Sequence, residues 1–202
     1  MKNNKGVFMK KTLLIFLTFA LSSIAYAKNI EMQCNIKSTA LIVMNNGKPS
    51  LDYSTLKGKN IDIFIGSTKR NILYSAKLDD EKSYGIDLEH SISLNRNYEW
   101  IKEMISKDKV EVVRYLNDQY QVIKITNDSI DAKYFAQWNF GWVDKSFRLQ
   151  RYYKDDWQGT YISHIGDSSI IFGLDCRSKS SDVDGFIQFM QKNIKGHDNN
   201  KL

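Results

Sequence analysis

The feature that most restricts the fold of this chain is an alternation of apolar and polar residues that recurs along most of its length. Its clearest instance places Ile86, Leu88, His90, Ile92 and Leu94 at every second position, with polar residues between them. Because successive side chains of a strand point to opposite faces, this pattern predicts strands with one buried face and one exposed face. Similar segments cover residues 28–37, 60–66, 71–78, 109–116, 120–126, 131–138, 146–153, 159–165 and 168–176.

Short turn sequences connect several of these segments. Asn117–Asp118–Gln119 lies between the strands predicted over residues 109–116 and 120–126, and Asn127–Asp128–Ser129 follows the second of them. Such short connections are typical of antiparallel neighbours. We therefore predict a mostly β domain of the α+β class, built on an antiparallel meander sheet or a small up-and-down barrel. The pattern does not distinguish a closed barrel from a half-open sheet.

One internal segment departs from the alternation. Residues 97–109 place Trp100, Ile101, Met104 and Ile105 at helical spacing, with charged residues between them. Apolar residues three and four positions apart lie on one face of a helix. The sequence therefore predicts one short internal helix over this segment.

A second helix is predicted near the C-terminus, over residues 180–195. Ser181 can cap its first turn, and nearby aspartates suit the positive end of the helix dipole. Gly196 is a plausible stop signal. Its apolar stripe, which should dock on the sheet, consists of Val183, Phe186, Ile187, Met190 and Ile194.

The first 27 residues have the three parts of a secretory signal peptide. A lysine-containing start precedes the apolar run Thr12–Ile24, and Ala25–Tyr26–Ala27 has the small-x-small form of a cleavage site. The apolar run is shorter than the ~20 residues that a membrane-spanning helix needs. We expect cleavage before Lys28, a periplasmic or secreted product, and no membrane span in what remains.

The mature chain is expected to contain one β-rich domain over residues 28–195 and a disordered tail over residues 196–202. The whole chain has 29 Lys and Arg against 23 Asp and Glu, but four of the lysines belong to the predicted signal peptide. The remaining 25 basic and 23 acidic residues nearly balance. Since nucleic-acid binding requires a basic stripe and none is present, we do not expect a nucleic-acid partner. The sequence leaves the oligomeric state open.

Two cysteines remain after the predicted cleavage site, one in the first predicted strand and one in the last. Cys34 shares an apolar face with Met32 and Ile36, and Cys176 shares one with Phe172 and Leu174. Exported proteins meet an oxidising compartment, where such a pair forms a disulfide. We therefore predict a Cys34–Cys176 disulfide that ties the first strand to the last. This bond would exclude thiolate catalysis and thiolate metal ligation.

Motifs for established chemistries are absent from the sequence. It contains no H-E-x-x-H, C-x-x-C, EF-hand, glycine-rich phosphate loop or G-x-S-x-G pattern, so we expect no metal, cofactor or catalytic residue. His164 lies near Asp167 and Ser168, but a triad requires these groups to converge with an oxyanion hole. His90 alternates with apolar residues, which favours a histidine of the core over a catalytic one.

Aromatic residues are the remaining signal. Nine lie within residues 135–161, and many of them suit the faces of strands. Trp, Tyr and Arg also dominate binding hot spots, and binding residues often lie on loops. The candidate binding residues are Trp138, Trp142, Arg151, Tyr153 and Trp157.

These observations favour a non-enzymatic exported binding protein, for example of the inhibitor or immunity type, that recognises another protein or an envelope glycan. One alternative is an envelope hydrolase that uses carboxylates or the region around His164. Another is a barrel that carries a small apolar ligand. Exposed tryptophans over a filled core would favour the binding protein, carboxylates clustered in a cleft the hydrolase, and a deep apolar cavity the carrier.

Overall fold

Each alternating segment forms a strand in the computed structural model, which describes residues 28–43, 53–68, 71–79, 86–94, 100–138, 141–165 and 168–198. The predicted signal peptide and residues 199–202 lie outside the described residues. A 3-10 turn spans Tyr53–Leu56, and helix α1 spans Val183–Asp198. The strands are β1 (Lys28–Val43), β2 (Asn60–Ser67), β3 (Asn71–Leu78), β4 (Leu88–Ser93), β5 (Trp100–Ser106), β6 (Lys109–Leu116), β7 (Gln119–Thr126), β8 (Ser129–Trp138), β9 (Gly141–Tyr153), β10 (Asp156–Ile165) and β11 (Ser168–Ser181).

The eleven strands form one antiparallel sheet in the order β4-β3-β2-β1-β11-β10-β9-β8-β7-β6-β5. Neighbours in the sheet are also neighbours in the chain, except that β1 lies beside β11 and thereby joins the two ends of the meander. The sheet curls into a half-barrel, with β4 and β5 at its edges in the described part of the chain. The predicted fold class is confirmed, in its half-open rather than its closed form.

The predicted disulfide is present and joins β1 to β11, which are neighbours in the sheet. Cys34 of β1 lies directly opposite Cys176 of β11, and the two form a disulfide across 142 positions of sequence. Both cysteines are buried on the inner face of the sheet. The chain's first and last strands therefore meet within one sheet and are covalently linked there.

The inner face of the curl carries the core, and α1 packs on this face against β1, β6 and β7. The described part of its predicted stripe is buried, and the Ser67 hydroxyl donates to the Met190 sulfur at 2.8 Å. Asp182, rather than Ser181, caps the helix, because its carboxylate accepts from the Gly185 amide at 2.8 Å. Ser181 instead ends β11, and α1 continues to Asp198, two residues past the predicted stop at Gly196.

The helix predicted over residues 97–109 is wrong, because Trp100–Ser106 forms β5. This strand pairs with β6 along its whole length after a turn at Lys107 and Asp108. Met104 is exposed and Ile105 packs toward the core, as alternate residues of an edge strand do. Cross-strand pairing and burial override the helical spacing, since local propensity is the weaker determinant.

Residues 86–90, at the start of β4, contact side chains of β8, β9 and β10 on the inner face. The Lys145 ammonium donates to the Asp87 carbonyl at 2.6 Å, and the Tyr161 hydroxyl donates to the Ile86 carbonyl. The ring of His90 stacks on that of Tyr134, with centroids 3.5 Å apart. His90 is therefore half-buried, with an aromatic partner on the inner face.

His90 makes the stability of the fold depend on pH. Burial, together with the nearby Lys145 ammonium, lowers the pKa of His90 from 6.5 to about 4, while Glu89 opposes the shift. The native state thus favours neutral His90, and this stabilisation is present above pH 6.5 and is lost as the pH falls toward 4. Allowing for the partial exposure of the ring, we expect a loss of about 1 to 2 kcal/mol.

The measurement is the urea unfolding free energy of wild type and His90→Gln at several pH values in this window. The difference between the two proteins isolates His90 from carboxylates that titrate in the same range. The variant should lose less stability than wild type on acidification. Parallel pH profiles for the two proteins would show that His90 does not carry the effect.

Candidate binding surface on the outer face of the sheet

The outer face of the sheet points away from the core and from α1. Strand register lines up a continuous series of side chains across this face, from β11 to β6. Its members, each directly opposite the next, are Ser169, His164, Asp144, Phe135, Tyr120 and Tyr115. Trp142 lies diagonally beside His164. We call Tyr115, Tyr120, Phe135, Trp142 and His164 the aromatic row.

Ring contacts connect the members of the aromatic row within two groups. The Trp142 indole stacks on the His164 ring with centroids 3.5 Å apart and planes inclined by 11°. Phe135 touches Trp142 at 6.1 Å, and Tyr115 meets Tyr120 at 4.7 Å, both in tilted arrangements. Such offset and tilted aromatic pairs stabilise by ~0.5–1.5 kcal/mol beyond burial. The row therefore contains two groups of touching rings, Tyr115 with Tyr120 and Phe135 with Trp142 and His164.

His164 supports Trp142 from below. The imidazole is 3% exposed, and its Nδ1 is hydrogen-bonded to the Ser169 hydroxyl. Trp142, in contrast, is 39% exposed. Since one face of the indole lies on a buried, hydrogen-bonded ring, the exposed part of Trp142 is a platform with little rotamer freedom.

Two ion pairs flank the row. Lys133 binds Asp144 at 2.8 Å, and Arg148 binds Asp131 at 2.6 Å. Three of these side chains, Asp131, Lys133 and Arg148, line a surface cavity of about 320 Å³, together with Ile162. The surface therefore combines an apolar platform with a polar border of balanced charge.

Exposed apolar side chains are concentrated on the same face. Among the described residues, six large apolar side chains are exposed, and register places Ile42, Met104, Tyr115 and Trp142 on the outer face. Exposed apolar residues are ordinary when scattered, but a shared face is typical of an interaction surface. Four of these six exposed side chains therefore share the outer face.

The structure separates the binding residues predicted from the sequence. Trp142 lies in the aromatic row. Trp138 ends β8 opposite Gly141, and its side chain lies outside what the structure describes. Tyr153 is 60% exposed at the β9–β10 hairpin, with the Lys154 ammonium 5.6 Å from its ring. Since it lies eleven residues from Trp142 along β9, or ~35 Å, Tyr153 does not belong to the same surface.

The sequence predicts Trp157 and Arg151 on a loop surface, but the structure places Trp157 in the core with Arg151 over it. Trp157 is fully buried on the inner face, opposite Cys176, and the Arg151 guanidinium lies 4.8 Å over its ring. The reason is that β10 begins at Asp156, so Trp157 alternates inward with Tyr161 instead of lying in a turn. Trp157 is a core residue and the half-buried Arg151 covers it, so the structure does not place either on the exposed loop surface that the sequence suggested.

Sequence reasoning missed Tyr115 and Tyr120. Both flank the hairpin turn at Asn117 and Asp118, so the two-residue loop predicts that they lie opposite each other. Phe135 belonged to the aromatic cluster but was not selected. Counting residues outward from each hairpin turn gives the strand register, and this register would have shown that these residues lie side by side.

For the hydrolase hypothesis, the structure places His164 under the Trp142 indole, with its Nδ1 hydrogen-bonded to the Ser169 hydroxyl. Ser168 lies opposite Ile165, on the other face of the sheet from His164. Asp167 lies outside the described residues. The carboxylate form of the hydrolase hypothesis has one supporting observation, because Asp156 and Asp175 line a common cavity.

Among the described residues, no group of three His, Cys, Asp or Glu side chains could hold a metal ion. No helix there has the length and apolar character required to cross a membrane. Comparison of the chain with protein-family models, with curated proteins and with solved structures finds no match in any of the three.

Proposed function

We propose that this protein is an exported, non-enzymatic binding protein whose outer face recognises a second protein. The observation that supports this proposal most directly is Trp142, which is 39% exposed and fixed on the buried His164 ring. Trp and Tyr are enriched among the residues that dominate protein–protein binding energy. A fixed side chain also loses less conformational entropy on binding than a mobile one.

The composition of the outer face favours a protein partner over a glycan. Met104, Tyr115, Trp142 and Arg148 are residue types enriched at protein interfaces. The face is a broad sheet surface with its charges paired at the border, which suits a partner of similar breadth. An envelope glycan that stacks on the Trp142 indole is the alternative outcome of the test below.

Export is part of the proposal. The predicted signal peptide and the Cys34–Cys176 disulfide both support it, because disulfides persist in oxidising compartments. The carrier hypothesis has less support, since the inner face of the curl is occupied by buried side chains from the sheet and from α1.

The test is affinity capture with the mature, oxidised protein from envelope extract, in wild-type and Trp142→Ala forms. Trp142→Ala should weaken binding by at least ~10-fold, because it removes the platform. The captured protein is then purified, and its affinity for each form is measured by calorimetry. Tyr153→Ala is the matched control, because it removes an exposed aromatic ring at the far end of β9.

Equal affinity of wild type and Trp142→Ala for the purified partner would overturn the proposal. Capture that disappears after enzymatic removal of glycans from the extract would replace the protein partner with a glycan. Loss of affinity in Tyr153→Ala but not in Trp142→Ala would place the interface at the β9–β10 hairpin instead.

A further inference from the structure

A second cavity lies on the outer face of the sheet. It is at the ends of β10 and β11 that are far from the aromatic row. It has a volume of about 290 Å³. We call it the polar cleft and define it by Asn35, Asn60, Tyr152, Asp156, Asp175 and Arg177. Cys176 of the disulfide also lines it. From Ser169 to Cys176 the distance along β11 is ~23 Å, so the cleft and the aromatic row are separate sites.

Four paired strands hold the floor of the cleft. Asn35 of β1 lies opposite both Asn60 of β2 and Asp175 of β11, and Arg177 of β11 lies opposite Asp156 of β10. The disulfide joins β1 and β11 at the neighbouring position. Polar side chains on paired, cross-linked strands keep their relative positions, so the cleft is formed before any ligand arrives.

The cleft offers both hydrogen-bond donors and acceptors. Carboxylates accept, guanidinium donates, and amides do both. The Asn35 amide nitrogen donates to the Gly58 carbonyl at 3.1 Å, which fixes this side chain. A ligand that presents several groups able to donate and accept at once would satisfy this mixture. Hydroxyl groups have that property.

The charges of the cleft nearly cancel. Asp175 binds Lys37 at 3.6 Å, and Arg177 lies across from Asp156 in the strand register. The lining itself carries two carboxylates and one guanidinium, and Lys37 compensates Asp175 from outside the lining. A strongly charged ligand would leave one sign uncompensated, so the balance favours a neutral ligand.

Tyr152 provides an apolar surface at the rim of the cleft, where it is 54% exposed. Desolvation and the negative charges of Asp175 and Asp156 raise the pKa of Tyr152. A tyrosine hydroxyl is protonated at neutral pH, so it can donate a hydrogen bond beside the two carboxylates. An aromatic ring with a polar tip suits a ligand that is apolar on one side and polar at its edge.

We propose that the polar cleft binds one residue of a neutral sugar. A pyranose ring has hydroxyl groups around its edge for Asn35, Asp156, Asp175 and Arg177, and an apolar C–H face that can pack on Tyr152. The cavity, at about 290 Å³, lies just below the usual range of ligand-site volumes, which limits the occupant to about one ring. This site does not depend on the proposed function of the aromatic row.

The test uses the mature, disulfide-intact protein labelled with ¹⁵N and titrated with glucose, galactose and N-acetylglucosamine. At least one sugar should cause saturable amide shifts at residues of the cleft, with a dissociation constant on the order of millimolar. Tyr152→Ala and Asp175→Asn should each weaken binding by at least ~10-fold. Tyr153→Ala is the control, since it removes a neighbouring exposed ring that does not line the cleft.

Unchanged binding in Trp142→Ala would support a site separate from the aromatic row, and loss in that variant would overturn the assignment to the cleft. Amide shifts that cluster around Trp142 rather than around Asp175 would also overturn the assignment to the cleft. No saturable shift with any of the three sugars would overturn the proposal itself. Thermal unfolding of Tyr152→Ala and Asp175→Asn, compared with wild type, verifies that each variant is folded.

Discussion

Replacing Cys34 and Cys176 together with alanine should lower the free energy of unfolding by about 5 kcal/mol. The disulfide closes a loop across 142 positions, and the chain-entropy relation gives about 5 kcal/mol for a loop of this length. For a domain of this size, that loss corresponds to a fall of roughly 10–20 °C in Tm. The effect is large because the bond joins the first strand to the last, so nearly the whole domain lies within the loop.

The measurement is thermal unfolding of the wild-type protein with and without a thiol reductant, beside the double variant. Reduced wild type and the double variant should unfold at similar temperatures, well below oxidised wild type. The double variant itself should not respond to the reductant, which controls for other effects of that reagent. Coincident curves for oxidised and reduced wild type would contradict the prediction, as would free thiols detected by mass spectrometry of the purified protein.

The second large effect is expected for Trp157→Ala, which should destabilise by about 3–5 kcal/mol. Trp157 has no exposed surface, lies opposite Cys176, and is covered by Arg151. Removing the indole deletes its buried surface and leaves a cavity in a region held rigid by the disulfide. Denaturant unfolding of the oxidised protein measures the change.

Trp142→Ala is the matched control for Trp157→Ala, because the same substitution removes an indole that is 39% exposed. Trp142→Ala should lower the free energy of unfolding by about 1 kcal/mol, mainly because the stacking on His164 is lost. Trp157→Phe should recover part of the stability, because it refills part of the cavity. Equal losses for Trp142→Ala and Trp157→Ala would mean that the two tryptophans do not differ in burial as described.

Most strands, and the pairing of β1 with β11, could be predicted from the sequence. Alternation identified nearly every strand, because one buried face and one exposed face require it. The two cysteines placed β1 beside β11, a contact between the ends of the chain that no local pattern shows. The sequence prediction was wrong for β5. The spacing of Met104 and Ile105 suits a helix as well as a strand, and only the pairing with β6 decides between the two.

The site was less predictable, because the direction of a side chain depends on register. An irregularity in the β9–β10 pairing lies between Asp156 and Trp157, so the inward position of Trp157 does not follow from counting back through the turn. Tyr115 and Tyr120 meet Phe135 and Trp142 only when four strands are aligned. The polar cleft likewise needs β1, β2, β10 and β11 together, and no local motif relates Asn35 to Asp175.

The most direct test of the outer face as a binding surface is oxidative footprinting of the mature protein with and without its captured, purified partner. Mass spectrometry compares the oxidation of Trp142, Tyr115 and Met104 on the outer face with that of Tyr153 at the hairpin, all four of which are exposed in the free protein. If the aromatic row is the interface, the partner will protect Trp142 and Tyr115 and leave Tyr153 unchanged. Unchanged oxidation of Trp142 and Tyr115 in the bound state would contradict it.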